Sequence, residues 1–391
     1  MKKPRALIFS IKRNYINPSF NILLKVLSEV FEVTFYGPGY DEVRYLDNDL
    51  YEVYNQLGPF DAVFIDQWLY SNPERHVLKT LFTSRSLNFT KSARKYADNV
   101  DFGKGFSKIP VDKFLFSWID LYSCTKEEGD DLKDFPGYIF GCPLYLAAPN
   151  SLLEENQSKE KFPFTATDYY EKALSDREGD LIPFCHVIED KETKLNSSIW
   201  KVDISVPGFP YYERKLIYNY LKNETNLNVL QKQNMQSYIE NIACRMRINF
   251  NNKKPYIFLQ QKLFRNLISQ SFCSYTDGSQ FDYPIRKFFE IPALGSILLA
   301  KPFHNCHKMG FKDRENFFNV STFNILEIYS ELRKNPEYAN KVRNNARNLI
   351  IKSHSKDAWV GYLSEIWGAI KAGSFYGCEW ENGKICIRLK Q

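Results

Sequence analysis

Residues 282–300 read DYPIRKFFEIPALGSILLA, a short helix followed directly by a strand. Pro284 suits the first turn of a helix, so Asp282 or Tyr283 lies at the cap, and Gly295 ends the helix. The run SILLA that follows is uniformly apolar, as expected of a buried strand. A helix that leads into a buried strand predicts an α/β domain around this stretch.

Asp282 is expected at the entrance of the helix and Glu290 about two turns along it, with seven residues between them. Both lie beside free backbone N–H groups and the positive end of the helix dipole, which favours a phosphorylated, hydroxyl-rich ligand. A capping Asp and a surface Glu on a buried helix would give the same spacing, since acids are common at helix starts. The spacing alone leaves both interpretations open.

The surrounding chain alternates strands and helices from Ser197 onward. Short apolar runs mark the strands, and apolar residues at helical spacing mark the helices. In order, the predicted elements are strand WKVDISV, helix ERKLIYNYL, a long helix near residues 231–246, strand PYIFLQ, helix KLFRNLISQS, strand SILLA, helix FNILEIYSELRKN and helix PEYANKVRNNARNLII. This order predicts a parallel sheet with helical crossovers.

A separate alternation fills the first part of the chain. Its predicted elements are strand ALIFSI, helix FNILLKVLSEVF, strand EVTFYGPGY, helix LYEVYNQLG, strand DAVFID, strand KFLFSWIDLY, a last strand in GYIFGCPLYL and a helix at DYYEKALSD. We therefore expect two α/β domains, residues 1–195 and 196–372. In the tail, residues 373–391, Asn382-Gly383 lies between apolar-rich flanks and predicts a hairpin that packs across both halves.

Composition and charge indicate an ordinary folded protein. The 391 residues are 44% hydrophobic and 25% charged, which excludes general disorder. The net charge of +6 is spread along the chain, so a nucleic-acid-binding protein is disfavoured despite 16% aromatic residues. Eight scattered cysteines without a CxxC pair indicate reduced thiols, and no apolar run reaches the ~20 residues of a membrane span. We expect a cytoplasmic protein, at most peripheral to the membrane.

The first strand lacks the fingerprint of a dinucleotide-binding dehydrogenase. That fingerprint is G-x-G-x-x-G directly after the strand, whereas ALIFSI is followed by KRNYINPS, which contains no glycine. The first half therefore gives no sign of a dinucleotide site.

The second half resembles the donor-binding domain of GT-B-fold glycosyltransferases, in particular the retaining "glycosyl transferases group 1" type. Members carry E-x7-E followed by a small residue, Gly and a hydrophobic strand, and here Asp282-x7-Glu290 precedes Ala293, Gly295 and SILLA. The resemblance extends over roughly residues 200–370. It implies a GT-B fold, with two Rossmann-like domains facing each other across a cleft.

Carried over residue by residue, the resemblance implies that Glu290 hydrogen-bonds the donor ribose and that Asp282 contacts the transferred sugar. The family usually has Glu at the first position, so the shorter Asp282 is a departure from its pattern. The Gly-rich turn of the family corresponds here to Asp277-Gly278-Ser279, where Gly278 and Ser279 face the sugar or diphosphate.

A departing nucleoside diphosphate needs positive charge when no metal is present. Arg286 and Lys287 lie on the helix of the acid pair. In the family, the first strand, loop and helix of this domain supply a pair of basic residues to the phosphates. Arg214 and Lys215 stand at the corresponding position. Alternatively, both are ordinary cations on the surface of a helix.

Further polar residues are weaker candidates. His186, near the junction of the halves, is either a base or sugar contact or a satisfied buried histidine. Asp203, inside the strand KVDISV, is either paired or directed into the cleft, and Asp66 and Asp120 end predicted strands where an acceptor-side base fits. The run His304-Asn305-Cys306-His307 lacks the spacing of established zinc motifs, so we expect no metal there.

Together these expectations describe a glycosyltransferase that moves a sugar from a nucleotide-sugar donor to a glycan or lipid-linked acceptor. The resemblance implies retention of configuration, no metal or other cofactor, and a role in bacterial surface polysaccharide assembly at the cytoplasmic face of the inner membrane. A non-catalytic glycan- or nucleotide-binding scaffold on the same fold is the alternative.

Overall fold

Two parallel sheets organise the chain. The computed structural model describes residues 2–10, 19–37, 40, 50–66, 108–109, 114–119, 137–141, 175–193, 200–208, 212–231, 254–278 and 284–390. The predicted long helix near residues 231–246 and most of the predicted helix DYYEKALSD lie outside the described residues. Residues 175–180 form a short 3-10 helix.

The first sheet has six strands in the order β2-β1-β3-β4-β5-β6, and every neighbouring pair is parallel. Its strands are β1 (Arg5–Phe9), β2 (Glu32–Tyr36), β3 (Ala62–Asp66), β4 (Phe114–Ile119), β5 (Tyr138–Gly141) and β6 (Leu181–Pro183). The sequence predicted the first five. It missed β6, because three residues are too short to show any periodicity.

The second sheet has five parallel strands in the order β11-β10-β9-β7-β8. Its strands are β7 (Val202–Ser205), β8 (Val229–Leu230), β9 (Ser271–Thr276), β10 (Ile297–Ala300) and β11 (Phe318–Asn319). In both sheets the first strand lies between the second and the third. The direction of winding therefore reverses beside the first strand, which is where open α/β sheets bind ligands.

Eight helices are described, two in the first half and six in the second. They are α1 (Ser19–Val30), α2 (Leu50–Leu57), α3 (Tyr212–Glu224), α4 (Lys254–Ser269), α5 (Lys287–Ala293), α6 (Ile325–Lys334), α7 (Pro336–Ser353) and α8 (Lys356–Lys371). The structure confirms a helix in this stretch, α5, and Gly295 has the positive φ of a residue that follows a helix end. The predicted cap at Asp282 or Tyr283 was wrong, because Arg286 is the N-cap and Pro284 lies before the helix.

The predicted strand PYIFLQ was wrong, because this run forms the beginning of α4. A short apolar run does not distinguish a strand from a buried helix segment. The strand is the next segment, SFCSYT, whose serines hid its burial from the sequence. Ser274 Oγ lies 2.7 Å from Ser205 Oγ and 2.8 Å from Ser296 Oγ, so hydroxyls satisfy one another inside the sheet.

The C-terminal tail is a hairpin, as predicted, with strands β12 (Phe375–Glu381) and β13 (Lys384–Leu389). Asn382 and Gly383 both have positive φ, which is the requirement of a tight hairpin turn. The hairpin contacts both halves: Trp380 Nε1 donates to the Pro183 carbonyl at 3.0 Å, and Gly383 N donates to the Lys308 carbonyl at 2.9 Å.

One apolar cluster spans both halves. It joins the buried face of α1 to α8, and it continues through Trp380 of the hairpin to Phe288 and Phe289 of α5. The last helix of the chain thus packs against the first. No helix among the described residues is long and apolar enough to cross a bilayer.

Candidate functional site

The carboxyl edge of the second sheet, between β7 and β9, brings together four of the predicted site residues, Arg214, Gly278, Lys287 and Glu290. The segment from Val206 to Gly208 follows β7, and Asp277 with Gly278 follows β9. The N-terminal parts of α3 and α5 bring Arg214 to Asp277 and Lys287 to Gly208, and Glu290 follows Lys287 on α5. We call this region the switch-point edge.

Arg214 forms a buried ion pair at this edge. Its Nη2 lies 2.6 Å from Asp277 Oδ1, and both side chains are at most 3% exposed. The guanidinium therefore holds the turn that follows β9. Lys215, its predicted partner in phosphate binding, is exposed to solvent. Since consecutive residues of a helix point in different directions, the structure separates this pair.

Lys287 lies against the loop after β7. Gly208 has φ +98, and a β-carbon at this position would lie 2.2 Å from Lys287 Cε and 2.6 Å from Nζ. Only glycine allows the lysine to approach the backbone so closely. Burial lowers the pKa of Lys287 to about 7, and the charge of Arg214 adds to the decrease, whereas Glu290 and Asp277 oppose it.

Glu290 is bound by Arg286 across one turn of α5. Arg286 Nε lies 2.7 Å from Glu290 Oε1. The other nitrogens of the guanidinium bind the segment after β6: Nη1 donates to the Val187 carbonyl at 2.7 Å, and Nη2 lies 2.7 and 2.8 Å from the two oxygens of Glu192. Burial raises the pKa of Glu290 above its ordinary range, and the charge of Arg286 opposes that rise.

His186 lies on the segment after β6, next to the carbonyl that Arg286 binds. Its ring centroid is 6.0 Å from that of Phe289. Burial lowers the pKa of His186 to about 3, and the positive charges of Arg286 and Lys287 contribute. The imidazole is therefore neutral at physiological pH and suited to hydrogen bonding, but it is a weak base.

Asp203 lies away from the switch-point edge. It sits near the amino end of β7, where its Oδ1 accepts from Tyr329 Oη at 2.5 Å and its Oδ2 accepts from Asn228 N at 2.9 Å. Arg333 Nη2 is 3.4 Å from the same carboxylate. These contacts join β7 to α6 and to the turn before β8, so the structure does not bring Asp203 to the other candidates.

The remaining candidates are placed only in part. Asp282, Ser279 and Asp120 lie outside the described residues, whereas Gly278 is buried just after β9. Asp66 is the last residue of β3, at the carboxyl edge of the first sheet. No group of three metal-ligating side chains occurs in the part of the chain that the structure describes.

No role was predicted from the sequence for three residues that contact the candidates or lie beside them. Asp277 and Glu192 bind the two arginines, and Thr276 ends β9 with a buried Oγ1 that has no hydrogen-bond partner among the described residues. The only signal for Glu192 was that it is one of three acids, at positions 189, 190 and 192, close to His186 in the sequence. Thr276 had no signal, because the strand it ends was not predicted.

The arrangement of both sheets is found in solved glycosyltransferase structures. A glycosyltransferase from Rickettsia africae is 10% identical, with 96% of this chain and 100% of that chain covered and a TM-score of 0.54. Sucrose-phosphate synthase from Thermosynechococcus elongatus is 8% identical, with 95% and 100% covered and a TM-score of 0.53. Anabaena HepE, solved in complex with UDP, is 9% identical, with 93% and 99% covered and a TM-score of 0.50.

These likenesses establish the fold. The chain has the GT-B fold, in which two Rossmann-like domains face each other across a cleft. No protein-family model and no curated protein sequence matches the chain.

Proposed function

We propose that this protein is a glycosyltransferase that transfers a sugar from a nucleotide-sugar donor to a hydroxyl of a glycan or glycolipid. The observation that carries the proposal is the position of Lys287 and Glu290 together at the switch-point edge of a GT-B fold. A cation beside a backbone loop suits a diphosphate, and a carboxylate nearby suits the hydroxyls of a ribose. The presence of UDP in the HepE complex supports this class of donor.

Within this proposal, each residue at the edge has a separate task. Lys287 neutralises charge on the diphosphate as it departs, with Gly208 leaving room for the phosphates and the lysine. Glu290 accepts from the ribose hydroxyls. Arg214 and Asp277 fix the turn at Gly278, so that its backbone keeps its place beside the donor.

We propose metal-independent transfer with retained configuration, because a lysine at the edge supplies positive charge and because the sequence resembles the retaining group 1 type. Asp282 and Ser279 remain proposed sugar contacts from the resemblance alone. His186, as a neutral imidazole, is proposed to hydrogen-bond the sugar or acceptor. Asp66 is a proposed acceptor-side base.

The place of action is proposed from the same resemblance. Bacterial surface polysaccharide assembly uses lipid-linked acceptors at the cytoplasmic face of the inner membrane, and a net charge of +6 favours peripheral contact with anionic lipids. Co-sedimentation with anionic and with neutral vesicles tests the contact. Equal, low binding to both would contradict it.

A thermal-unfolding screen against UDP-, GDP-, CMP- and TDP-sugars tests the proposal directly. A donor present at 100 times its dissociation constant stabilises the folded protein by ~2.7 kcal/mol. Lys287→Met should abolish the stabilisation, whereas Lys222→Met, which removes an exposed lysine of α3, should keep it. If no nucleotide sugar stabilises the wild-type protein, the proposal fails.

A non-catalytic scaffold that binds nucleotides or glycans on the same fold is the second candidate, and the Asp at position 282 favours it. The donor found by the screen decides between the two. Release of free sugar or its transfer to an acceptor by the purified protein supports the enzyme. Donor binding without sugar release or transfer, whichever acceptor extract is added, supports the scaffold.

A further inference from the structure

Arg286 is surrounded by acceptors that belong to the protein itself. Glu290 Oε1, the Val187 carbonyl and both oxygens of Glu192 all lie at 2.7 or 2.8 Å from its guanidinium, and the side chain is only 6% exposed. A guanidinium held in this way is not available as a free cation at the sheet edge. Its fork instead fixes the direction of the Glu290 carboxylate.

Glu192 supplies the second carboxylate of this group. It is 3% exposed, and the backbone N–H of Glu189 donates to its Oε2 at 2.9 Å, which fixes its own position. Arg286 Nε holds Glu290 Oε1, and Nη2 of the same guanidinium binds both oxygens of Glu192. The two carboxyl groups are therefore fixed by one shared cation, which sets the position at which Glu290 can accept further hydrogen bonds.

Glu192 belongs to the segment that joins the two halves, residues 184–193, which we call the connecting segment. The segment is bound to the second half through the Ile188 N–H, which donates to the His354 carbonyl at 2.9 Å, and through Arg347 Nη2, which donates to the Thr193 carbonyl at 2.8 Å. It is bound to α1 of the first half by the ion pair of Glu189 with Lys25. Arg286 thus ties Glu290 to the segment between the halves.

We propose that Arg286 is a positioning residue: held by Glu192 and the Val187 carbonyl, it fixes the Glu290 carboxylate for the ribose hydroxyls of the donor and does not itself touch the diphosphate. This inference rests on the proposed function and refines it. It also assigns Glu192 a role in donor recognition, although Glu192 lies on the connecting segment and not on α5, the helix that carries Glu290.

The test compares affinities for UDP and GDP with those for their 2′,3′-dideoxy forms, measured by calorimetry. A hydrogen bond to a charged group makes the wild-type protein prefer the ribose form by roughly 10-fold or more. In Arg286→Lys and in Glu192→Gln the preference should fall towards one, while affinity for the dideoxy form stays near wild type. Glu189→Gln removes two neighbouring ion pairs of the same segment, with Lys25 and Lys191, spares Arg286, and should keep the wild-type preference.

Thermal unfolding of each variant shows which are folded, and the isosteric Glu192→Gln provides the test if Arg286→Lys does not fold. An unchanged preference in folded Glu192→Gln overturns the inference. So does an equal loss of affinity for both forms in Arg286→Lys, since that result would place Arg286 on the diphosphate. If none of the UDP-, GDP-, CMP- and TDP-sugars of the unfolding screen stabilises the wild-type protein, the proposed function itself is refuted.

Discussion

Lys287 illustrates how single side chains acquire unusual chemistry at the switch-point edge. Lys287 is half-buried and lies near the charge of Arg214, and its pKa is lowered to about 7. A bound diphosphate adds negative charge at the same place and favours the protonated form. The lysine is therefore expected to take up a proton when a donor binds.

This coupling predicts a pH dependence of nucleotide affinity. Above pH 7 the free lysine loses its proton, so binding of UDP must restore it, and affinity should fall as pH rises from 7 to 9. Calorimetry in buffers of different ionisation enthalpy should show proton uptake at pH 8. In Lys287→Met, affinity should be weak and insensitive to pH over this range. A wild-type affinity that rises with pH would contradict the assignment.

The Arg214–Asp277 pair predicts a large effect on stability. Asp277→Asn leaves the buried guanidinium without its countercharge, so the free energy of unfolding should fall by roughly 3–5 kcal/mol. Glu331→Gln, which breaks the exposed pair with Arg314, should cost less than about 1 kcal/mol. Urea unfolding of both variants measures the difference. Similar losses of unfolding free energy in the two variants would show that the buried pair stabilises the fold no more than the exposed pair does.

At the scale of elements, the sequence predicted best where hydrophobic pattern and turn chemistry agree. The hairpin followed from Asn382-Gly383, and the end of α5 followed from Gly295, whereas Pro284 placed the start of that helix too early. Strand β9 escaped prediction because its buried Ser274 is satisfied by the hydroxyls of Ser205 on β7 and of Ser296, partners that only the folded structure reveals. The roles of the charged residues were not predicted either, because their partners are distant in the sequence: Glu192 lies 94 positions before Arg286.

The contact between the hairpin turn and the loop before β11 predicts a graded effect of two glycine substitutions. Gly310 has φ +87, and a β-carbon there would lie 2.6 Å from Leu349 Cδ1 and 2.9 Å from Gly383 Cα. Gly373 has φ +71 but no neighbour within 4 Å. Gly373→Ala should cost about 1–2 kcal/mol from backbone strain alone, and Gly310→Ala should cost more. Equal losses on urea unfolding would mean that the close approach has no energetic effect.

At the scale of the whole molecule, both sheets reverse their winding direction beside their first strand, and we assign the donor to the second sheet. The alternation of strands and helices was enough to predict two α/β halves, and the solved glycosyltransferase structures confirm the GT-B fold. The aromatic excess has its place in the core, where the His354 ring lies 4.9 Å from Phe289 and 4.8 Å from Trp380. These rings join α5 to the hairpin, which the sequence alone did not indicate.

Donor binding at the switch-point edge of the second sheet underlies every role proposed for its residues. The decisive measurement is a crystal structure of the protein soaked with the nucleoside diphosphate chosen by the unfolding screen. We expect the diphosphate beside Gly208 and Lys287, with the ribose hydroxyls on Glu290 and no phosphate on Arg286. A nucleotide bound at the carboxyl edge of the first sheet, or away from Glu290, would contradict it.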